Sequence, residues 1–401
     1  MIAARDARGL FPGAAEATYL DTANFGLVAA PVARAVASMM KGLQHPPAVD
    51  ASTRYMELES ASGRARRAIA ALVGADESEI ALVESTSHGL QLAAASIPLD
   101  PGDEVVCASW DFPGIRLAWH HRAEREGLHI REVDLGTASD PTNALADALT
   151  DSTRVVCTSS VTEAVGVRLD LCALADACRR RGTWLIVDAT QHAGVADLDL
   201  HDTGVDIAAA GGHKWLGCPL GTGFLYVRSD RRRLLRAPHL GYLGLEEPAQ
   251  GWEGWLSSPT PGAITTLAPR STAQSLEIGG TPNFAGRVAA AHAWELLSDI
   301  GSRGIAAHVT DLTATLIDGL LALGLPVYTP TRIEHRAGIV CFGWSDAQRE
   351  RTLVADLRTR DIFVSQRYNA GVGGIRISVH VYNDRGDVEH LLDALRPHAA
   401  S

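Results

Sequence analysis

The chain has 401 residues, a formal net charge of −11, 46% hydrophobic residues and 21% charged residues. This composition is typical of a soluble globular protein, and the length predicts two domains. The negative charge indicates neither nucleic acid nor an anionic membrane surface as a partner. The charged N-terminal stretch is not a secretory signal, and no apolar run approaches the roughly 20 residues of a membrane span. We therefore expect a cytoplasmic protein.

Strand and helix patterns alternate through the first half of the chain. Two helices, predicted at 32–43 and 55–73, precede this alternation. The predicted strands are 80–84, 104–108, 129–134, 154–159, 184–188, 205–209 and 224–227, and the predicted helices between them are 87–97, 114–126, 143–149 and 171–181. Runs such as WLIVDA are apolar at successive positions, which is typical of strands covered on both faces. The sequence thus predicts an α/β fold with a mostly parallel, seven-stranded sheet between two layers of helices.

The second half of the chain has a different character. Residues 246–284 are rich in Gly, Pro, Ser and Thr, and we interpret them as a long connection that is functional or packs on another element. Helices are then predicted at 287–300, 305–323, 348–360 and 385–395, and strands at 327–329, 339–344 and 375–379. We therefore predict a large domain at 20–255, a connecting and interface region at 256–285, and a small α+β domain at 286–401. Residues 1–19 are expected to pack on the small domain.

Neither cysteine nor metal chemistry is indicated. The six cysteines occur in a large chain without an export signal, so we expect reduced thiols. Cys172 and Cys178 are six residues apart, a spacing that suits neither a zinc site nor a CxxC redox pair. We expect these side chains to be small buried hydrophobes, and no metal is predicted.

Lys214, in the stretch GGHK, is one of only two lysines; the other, Lys41, is near a predicted helix end. Lysine can lose its proton and attack a carbonyl group, whereas arginine stays charged. A sequence that uses arginine almost everywhere would therefore retain a lysine that forms a Schiff base. Lys214 follows a predicted strand in a glycine-rich turn, and ligands of open α/β sheets bind at such strand ends.

Two further stretches, WLIVD and ESTSHGL, supply groups that could bind a cofactor together with Lys214. Asp188 ends the strand WLIVD, where a buried carboxylate needs a cationic partner such as a protonated pyridine nitrogen, although a helix N-cap is an alternative. The spacing of Asp188 and Lys214 fits one strand–helix–strand step, so we expect both at the same edge of the sheet. In ESTSHGL, Thr86, Ser87 and His88 open a helix and would present N–H groups and hydroxyls to a phosphate. An amine, a pyridinium partner and a phosphate site are what pyridoxal 5′-phosphate (PLP) requires.

The motifs TSHG, VDATQ, GGHK, GGTPN and IRIS occur in this order between YLDTANFG (19–26) and IRISVHVYND (375–384). In this pattern the chain resembles the fold-type I PLP enzymes of the class V aminotransferase and cysteine desulfurase family, including its C–S lyase and isopenicillin-N-epimerase-like branch. The resemblance implies that Lys214 forms the Schiff base with PLP and that Asp188 pairs with the pyridine nitrogen. The other implied cofactor contacts are Thr86, Ser87, His88 and His213 at the phosphate, Gln191 near the phenolic oxygen, Phe112 against the ring, and Thr281 at the phosphate of the neighbouring subunit in a homodimer.

Substrate contacts also follow from the resemblance. Arg376 matches an arginine that holds a substrate carboxylate by a bidentate contact. Asn24 and Phe25 belong to an N-terminal loop that lines the substrate pocket, and Arg367 and Tyr368 lie on a loop before Arg376. Further pocket candidates are His192, Tyr242 and Trp252, for which packing is the alternative.

The chain departs from the family pattern in two places. Glu163 stands where the family often has asparagine, so a carboxylate would lie near the phenolic oxygen unless it points elsewhere, is protonated or is functional; we count it among the catalytic candidates. The loop SQRYNAGVGG (365–374) lacks the nucleophilic cysteine of the family's cysteine desulfurases. Sulfur transfer through a persulfide on that loop is therefore not expected.

We accordingly predict a PLP-dependent C–S β-lyase that acts on an S-substituted L-cysteine through an external aldimine and an α-carbanion. The alternatives are an aminotransferase, an epimerase, and an enzyme that decarboxylates and oxidatively deaminates a cysteine conjugate or another amino acid. A PLP-binding regulator without turnover is the non-enzyme alternative. A nicotinamide-dependent dehydrogenase is disfavoured because no GxGxxG follows an early strand. The predicted partners are a small amino-acid substrate and a second copy of the chain, with the active site at the dimer interface.

Overall fold

The computed structural model describes residues 3–47, 49–136, 138, 140–260 and 262–398. These residues form twelve β-strands and fourteen α-helices. The strands are β1 (Thr18–Tyr19), β2 (Ile80–Val83), β3 (Glu104–Ala108), β4 (His129–Val133), β5 (Thr153–Ser159), β6 (Trp184–Asp188), β7 (Ile207–Gly211), β8 (Gly223–Val227), β9 (Ile339–Phe342), β10 (Ile362–Phe363), β11 (Ser365–Asn369) and β12 (Val372–Ser378). The helices are α1 (Gly13–Glu16), α2 (Ala30–Leu43), α3 (Ala51–Val73), α4 (Thr86–Ser96), α5 (Pro113–Glu126), α6 (Pro141–Asp147), α7 (Leu171–Arg180), α8 (Leu200–Thr203), α9 (Ser229–Arg232), α10 (Gly251–Leu256), α11 (Phe284–Ile300), α12 (Ser302–Ala322), α13 (Ala347–Thr359) and α14 (Arg385–Leu395).

The main sheet has seven strands in the order β2-β8-β7-β6-β5-β3-β4. Only β8 runs antiparallel to its neighbours, and the other adjacent pairs are parallel. The prediction of a mostly parallel, seven-stranded sheet is therefore confirmed, and all seven predicted strands are present. The strand predicted at 327–329 is wrong, because Val327 forms only an isolated bridge with Phe342. Pro326 and Pro330 flank this run, and proline cannot donate to a strand ladder.

Both faces of the main sheet are buried in every strand except the edge strand β4, as the predicted apolar runs require. In β6, Leu185 and Val187 belong to the core that includes α3, α7 and α11, whereas Trp184 and Ile186 belong to the core that includes α4 and α5. Side chains of successive strand residues point to opposite faces, so this alternation shows that helices cover the sheet on both sides.

The carboxyl ends of the parallel strands meet at one edge of the sheet. The register places Ser159 of β5 opposite Asp188 of β6, and Asp188 opposite Ala209 of β7. At the same edge β2 ends at Val83, and α4 begins three residues later at Thr86. Polar side chains from four separate chain segments are thereby brought to one place.

A second, antiparallel sheet has the order β11-β12-β9 and packs with α12, α13 and α14 around its own apolar core. The N-terminal segment joins this region through parallel pairing of β1 with β10 and through an ion pair of 2.7 Å between Arg8 and Asp387. The helix α11 instead packs against α3 and α2. The predicted domain boundaries stay predictions.

The helix α12 has 21 residues and a mean hydropathy of 1.3, which suffices by length and composition for a membrane span. Among the described helices it alone meets this criterion. Its buried side chains include Ile305, Val309, Leu312 and Leu316, which belong to the cores beneath the two sheets. This stripe has the spacing by which a helix packs on a core.

Candidate active site

A cavity of about 240 Å³ lies at the carboxyl edge of the main sheet. Lys214, Asp188 and Glu163 all face it, although they come from three different segments. The lining residues are Ser85, Thr86, Ser87, Leu90, Phe112, Gly114, Ser159, Val161, Glu163, Asp188, Thr190, Gln191, His213 and Lys214. The structure thus brings together eight of the residues that the sequence analysis selected: Thr86, Ser87, Phe112, Glu163, Asp188, Gln191, His213 and Lys214.

The backbone of Lys214 is fixed by the N-terminal loop. The N–H of Gly26 donates to the carbonyl oxygen of His213 at 2.9 Å. A Cβ atom at position 26 would lie 1.9 Å from the carbonyl oxygen of Lys214, so only glycine permits this approach. The loop that contains Asn24 and Phe25 is therefore held directly against the lysine.

Burial shifts the pKa values of Lys214 and Asp188 in opposite directions: that of Lys214 is lowered and that of Asp188 is raised. Burial lowers the pKa of the Lys214 amine to about 8, and the nearby arginines Arg376 and Arg367 add to this effect, whereas Asp188 and Glu163 oppose it. Burial raises the pKa of the Asp188 carboxyl group, and this rise is limited by hydrogen bonds from Thr190 and by the charge of Lys214. The Thr190 N–H donates to Asp188 Oδ1 at 2.8 Å. A buried carboxylate in this state is stabilised by a further cationic partner.

The lowered pKa of Lys214 predicts the pH dependence of carbonyl capture. With a pKa of about 8, roughly a tenth of the amines are neutral at pH 7, against roughly one in three thousand at the ordinary value of 10.5. In protein freed of cofactor, we expect the rate of imine formation with added PLP to rise about tenfold per pH unit below pH 8 and to level off above it. Stopped-flow absorbance measures this rate.

Two further samples, the Glu163→Gln variant and free Nα-acetyl-lysine, are compared with the wild-type protein in this measurement. Glu163→Gln is expected to move the midpoint to lower pH, since the Glu163 carboxylate raises the pKa of Lys214. Free Nα-acetyl-lysine provides the unshifted reference. A rate for the protein that still climbs tenfold per unit between pH 8.5 and pH 10 contradicts the prediction.

The N-terminus of α4 forms one end of the cavity. Ser85 caps the helix by accepting from the His88 N–H, and the first amides of a helix have no intrahelical acceptor. The Thr86 hydroxyl is 2.6 Å from the hydroxyl of Thr190, and Ser87 also faces the cavity. Hydroxyls, free amides and a helix N-terminus together suit a phosphate.

Small residues and a neutral imidazole complete this end of the cavity. A Cβ at Gly211 would lie 3.0 Å from His213 Nδ1 and 3.1 Å from Thr86 Oγ1, and a Cβ at Gly114 would lie 3.2 Å from Ser87 Oγ. Glycine therefore keeps this space clear. Burial, together with the charge of Lys214, lowers the pKa of His213 to about 4, so the ring is neutral near pH 7 and one of its nitrogens can donate.

Gln191 and Phe112 occupy other parts of the wall. The Gln191 side chain is buried; its Nε2 donates to the carbonyl oxygen of Ala23 at 3.2 Å, and its Oε1 accepts from Trp215 Nε1 at 2.7 Å. Phe112 precedes α5 and is 40% exposed, so its ring is available to a ligand. The two hydrogen bonds fix the orientation of the Gln191 amide. The Phe112 ring provides an aromatic surface at the cavity.

Two arginines of the second sheet contact the cavity-lining residue Glu163. Glu163 is buried, and its Oε2 accepts from Arg367 Nη2 at 2.9 Å. Arg376 is fully buried and donates to the Glu163 carbonyl oxygen at 3.0 Å and to Asn24 Oδ1 at 2.6 Å. Glu163 thus lines the cavity and pairs with Arg367; its catalytic role stays a prediction.

Seven selected residues are not among those that line the cavity. Three of them, Asn24, Arg367 and Arg376, form the contacts described above; the other four lie elsewhere. His88 Nδ1 accepts from the Glu84 N–H, the Tyr368 hydroxyl donates to Glu350, and Thr281 is exposed at the surface. Phe25 is 53% exposed and contacts the His213 ring with 5.8 Å between centroids. The contacts predicted for these residues with cofactor or substrate stay predictions.

The three further pocket candidates are also elsewhere. His192 is buried, with its ring nitrogen 3.1 Å from the carbonyl oxygen of Asp197. Tyr242 and Trp252 line a different cavity, of about 760 Å³, with Tyr55 and Arg270 among its other lining residues. The packing alternative thus describes His192, while the two aromatic residues belong to a separate concave surface.

Several residues at the site were not selected from the sequence, and three of them, Thr190, Trp215 and Asn369, hold other site residues in place. Thr190 bonds both Asp188 and Thr86, Trp215 holds Gln191, and the Asn369 amide donates to the carbonyl oxygen of Trp110 beside Glu163. A threonine two residues after a strand-terminal aspartate is a local signal for the first, because its N–H can bond that carboxylate. The contacts of Trp215 and Asn369 join distant segments and have no local signal.

The fold and the site define a class of protein: an α/β protein with a buried lysine of lowered pKa in a cavity beside a helix N-terminus. A family model described as Aminotransferase class-V matches residues 18–391. The chain therefore belongs to the class-V aminotransferase family.

Individual relatives carry several names. The chain is 29% identical over 389 residues to the uncharacterized aminotransferase YcbU of Bacillus subtilis (strain 168), covering 97% of this chain and 96% of the relative. It is 29% identical over 344 residues to isopenicillin N epimerase of Streptomyces clavuligerus, covering 83% of each. It is 25% identical over 410 residues to a probable cysteine desulfurase of Methanothermobacter thermautotrophicus, covering 97% and 96%.

Solved structures share the fold. One is the complex of the cystine C–S lyase C-DES with its reaction product, cysteine persulfide. It superposes with a TM-score of 0.84 at 23% identity, covering 96% of this chain and 99% of that chain. This likeness shows that the matched 96% of this chain has the same fold as that protein.

The cofactor of this PLP-dependent family fits the site. The cavity offers an amine at Lys214, a buried carboxylate at Asp188, and the hydroxyl and amide donors at the start of α4. These groups correspond to the aldehyde, the ring nitrogen and the phosphate of PLP. The cofactor is therefore pyridoxal 5′-phosphate, and the protein is a PLP-dependent enzyme.

Proposed function

We propose that this protein is a PLP-dependent lyase that cleaves the Cβ–S bond of an S-substituted L-cysteine. The observation that carries the proposal is the composition of the cavity: Lys214 has a lowered pKa, and none of the lining residues in the described part of the chain is a cysteine. Such a cavity supplies a base and no sulfur nucleophile. The C–S lyase activity of the structural relative C-DES agrees with this proposal.

Each protein group has a definite task in this proposal. PLP, when bound, withdraws electrons from the α-carbon of an amino acid attached to it. Thr86, Ser87 and His213 hold the phosphate, and Asp188 keeps the proton on the ring nitrogen. Lys214 takes the proton from the α-carbon of the substrate. Arg376 binds the α-carboxylate, since its guanidinium is buried and keeps an Nε that has no hydrogen-bond partner among the described residues.

The elimination is balanced without a redox partner. As Lys214 takes the α-proton, the electrons of that C–H bond form a Cα–Cβ double bond, and the Cβ–S electrons leave with the sulfur. The sulfur takes a proton and departs as the thiol. Water then releases the nitrogen, so one S-substituted cysteine and one water yield one thiol, one pyruvate and one ammonium ion.

We further propose that the protein does not carry a persulfide. Cys341 is the cysteine of the second sheet; it lies on β9 opposite Arg376 and is fully buried against Ala164 and Val165. Burial raises the pKa of its thiol to about 12, so it is protonated and unreactive near neutral pH. The hairpin of β11 and β12 contains no cysteine.

The second candidate function is amino-group transfer or epimerisation. The names of YcbU and of the isopenicillin N epimerase favour it. The same lysine and carboxylate would serve these reactions, because each begins with loss of the α-proton. Amino-group transfer and epimerisation differ from each other in the position to which this proton returns.

We propose that the enzyme acts as a homodimer in the cytoplasm. Phe25, Leu220 and Leu256 are each more than half exposed, and a second copy that covered them would remove apolar surface from water. Thr281 is at the surface, where it can meet a second copy. A monomer in sedimentation velocity at micromolar concentration would contradict the dimer.

Product analysis decides between the candidate reactions. Purified enzyme with PLP and S-ethyl-L-cysteine is expected to release pyruvate and ethanethiol in equal amounts, measured with lactate dehydrogenase and a thiol reagent. Alanine and enzyme-bound sulfur formed from L-cysteine would instead identify a desulfurase. Conversion of an added α-keto acid to its amino acid, or of the L-substrate to the D-enantiomer, would identify the second candidate.

A further inference from the structure

A second cavity, of about 200 Å³, lies away from the active site. Its wall is formed by α12, by the turn after β6 and by the segment just before β9, and it includes the side chains of Arg168 and Arg336. In the part of the chain that the structure describes, no residue lines both this cavity and the active-site cavity. The proposed reaction uses none of the residues in this wall.

Arg336 is a buried cation at this cavity. Only 6% of the residue is exposed, and its Nη1 donates to the Thr313 hydroxyl. This is the one hydrogen bond that its five N–H donors form with the described residues, and its buried Nε has no partner among them. No carboxylate oxygen of the described residues lies within 4.0 Å of the guanidinium nitrogens. Burial lowers the pKa of Arg336, an effect that the charge of Asp318 opposes.

Arg168 adds a second positive charge at the same cavity. Its Nη2 donates to the carbonyl oxygen of Asp197 at 3.1 Å, and it forms no ion pair with a described residue. Burial also lowers the pKa of Arg168, and the acids Asp197 and Asp170 oppose this effect. The two arginine segments are joined by the backbone, since the Arg168 N–H donates to the carbonyl oxygen of His335 at 2.8 Å. Two cations therefore meet at one small cavity.

The two carboxylates in the cavity wall are engaged with other groups. Glu334 accepts from Arg332 Nε at 2.7 Å. Asp197 accepts from the Ser302 hydroxyl at 3.0 Å, and its other carboxylate oxygen lies 3.9 Å from Arg303 Nε. Neither acid forms an ion pair with the buried guanidinium. A buried charge without a counter-ion is costly, so this cavity favours an anion that enters from solvent.

We propose that this second cavity binds a small oxyanion of the phosphate or sulfate type, held by Arg336 and Arg168. A guanidinium suits such an ion because its paired N–H donors match two oxygens, and two positive charges match the charge of a dianion. The cavity of about 200 Å³ is large enough, since one water molecule takes about 30 Å³ in the liquid. This inference does not depend on the proposed reaction.

Calorimetry with inorganic phosphate tests the proposal on the PLP-loaded enzyme, in which the cofactor occupies the active-site cavity. In a buffer low in chloride, we expect the wild type to bind phosphate with a Kd of about 1 mM or less. Arg336→Gln should bind it at least about tenfold more weakly, because hydrogen bonds to a charged group are lost, and Arg168→Gln should also weaken binding. Arg351→Gln, at an exposed position on α13, is the matched control and should bind phosphate as the wild type does.

Two further variants of Arg336 control for folding and for charge. Arg336→Met removes the buried charge, so in phosphate-free buffer it should melt at or above the temperature of the wild type. At phosphate about a hundredfold above Kd, the melting temperature of the wild type should rise by roughly 3 °C, whereas that of Arg336→Met should not change. Arg336→Lys keeps the charge without the paired donors, and its affinity should lie between those of the wild type and Arg336→Gln.

Several results would overturn the proposal. Equal phosphate affinities in the wild type and Arg336→Gln would place the ion elsewhere, for example on Arg376. Absence of binding to the wild type up to about 10 mM phosphate would show that the cavity holds only water. Glycerol 3-phosphate distinguishes the source of the anion: binding as tight as that of phosphate assigns the phosphoryl group of a larger molecule, and weaker binding assigns the free ion. Either result supports the site if the binding is lost in Arg336→Gln and contradicts it if the binding persists.

Discussion

Replacement of Lys214 by alanine is expected to abolish turnover and to remove the visible absorbance of the lysine-bound cofactor. The substitution deletes the amine that binds PLP covalently and the base that takes the α-proton, so a loss of about 10³-fold or more is expected. Absorbance spectra and pyruvate release measure the two effects. Because Lys214 lies in a cavity rather than in the apolar core, the fold should persist, as circular dichroism can verify.

Lys41 offers a matched control, since it is the only other lysine in the chain and is exposed on α2. Lys41→Ala should keep both the absorbance and the turnover of the wild type. Borohydride reduction of the wild type should attach the cofactor to the peptide that contains Lys214. Attachment at Lys41, or an unchanged imine band in Lys214→Ala, would contradict the assignment.

Asp188→Asn is expected to lower kcat by about 10² to 10³-fold. The carboxylate is buried at the end of β6, and breaking a buried charge pair costs about 3–5 kcal/mol, where each 1.4 kcal/mol is a factor of ten. Asparagine has nearly the same shape and keeps an oxygen that can accept from Thr190, so the loss reports the charge rather than the packing. Steady-state kinetics and cofactor affinity measure it.

Asp111→Asn is the matched control for this effect. Asp111 is also buried at the carboxyl edge of the sheet, where it accepts from the N–H of Ser159 at 2.8 Å, but it does not line the cavity. This variant should lower the free energy of unfolding while reducing kcat far less than Asp188→Asn. Equal losses of kcat in the two variants would show that Asp188 acts through the fold and not on the cofactor.

The main sheet and the placement of Asp188 and Lys214 at its edge could be predicted because both depend on local sequence patterns. Strands buried on both faces leave continuous apolar runs. One strand–helix–strand step places Asp188 at the end of β6 and Lys214 just after the neighbouring strand β7. The start of α4 is also local, since a serine N-cap and hydroxyls precede an apolar helix. The direction in which each side chain points from the start of α4 could not be predicted from the local pattern. In the structure, His88 contacts Glu84 and does not line the cavity.

The contacts of the two arginines with Glu163 could not be predicted in the same way. The segment around Arg367 reads as a loop, but it forms β11 and pairs with β12, so neighbouring side chains point to opposite faces. Arg367 therefore reaches Glu163 while Tyr368 reaches Glu350. Both residues were candidates for the substrate pocket because the pairing of β11 with β12 is not evident from the sequence.

By itself, the sequence predicted the chemistry: a lysine, a strand-terminal aspartate and a helix N-terminus in an order that resembles the class-V aminotransferase family. Only the tertiary structure decided what surrounds that site. Glu163 and Arg367 are 204 residues apart, and their contact depends on how the second sheet packs against the first. Local propensity acts over a few residues, whereas packing of two sheets sets which distant side chains meet.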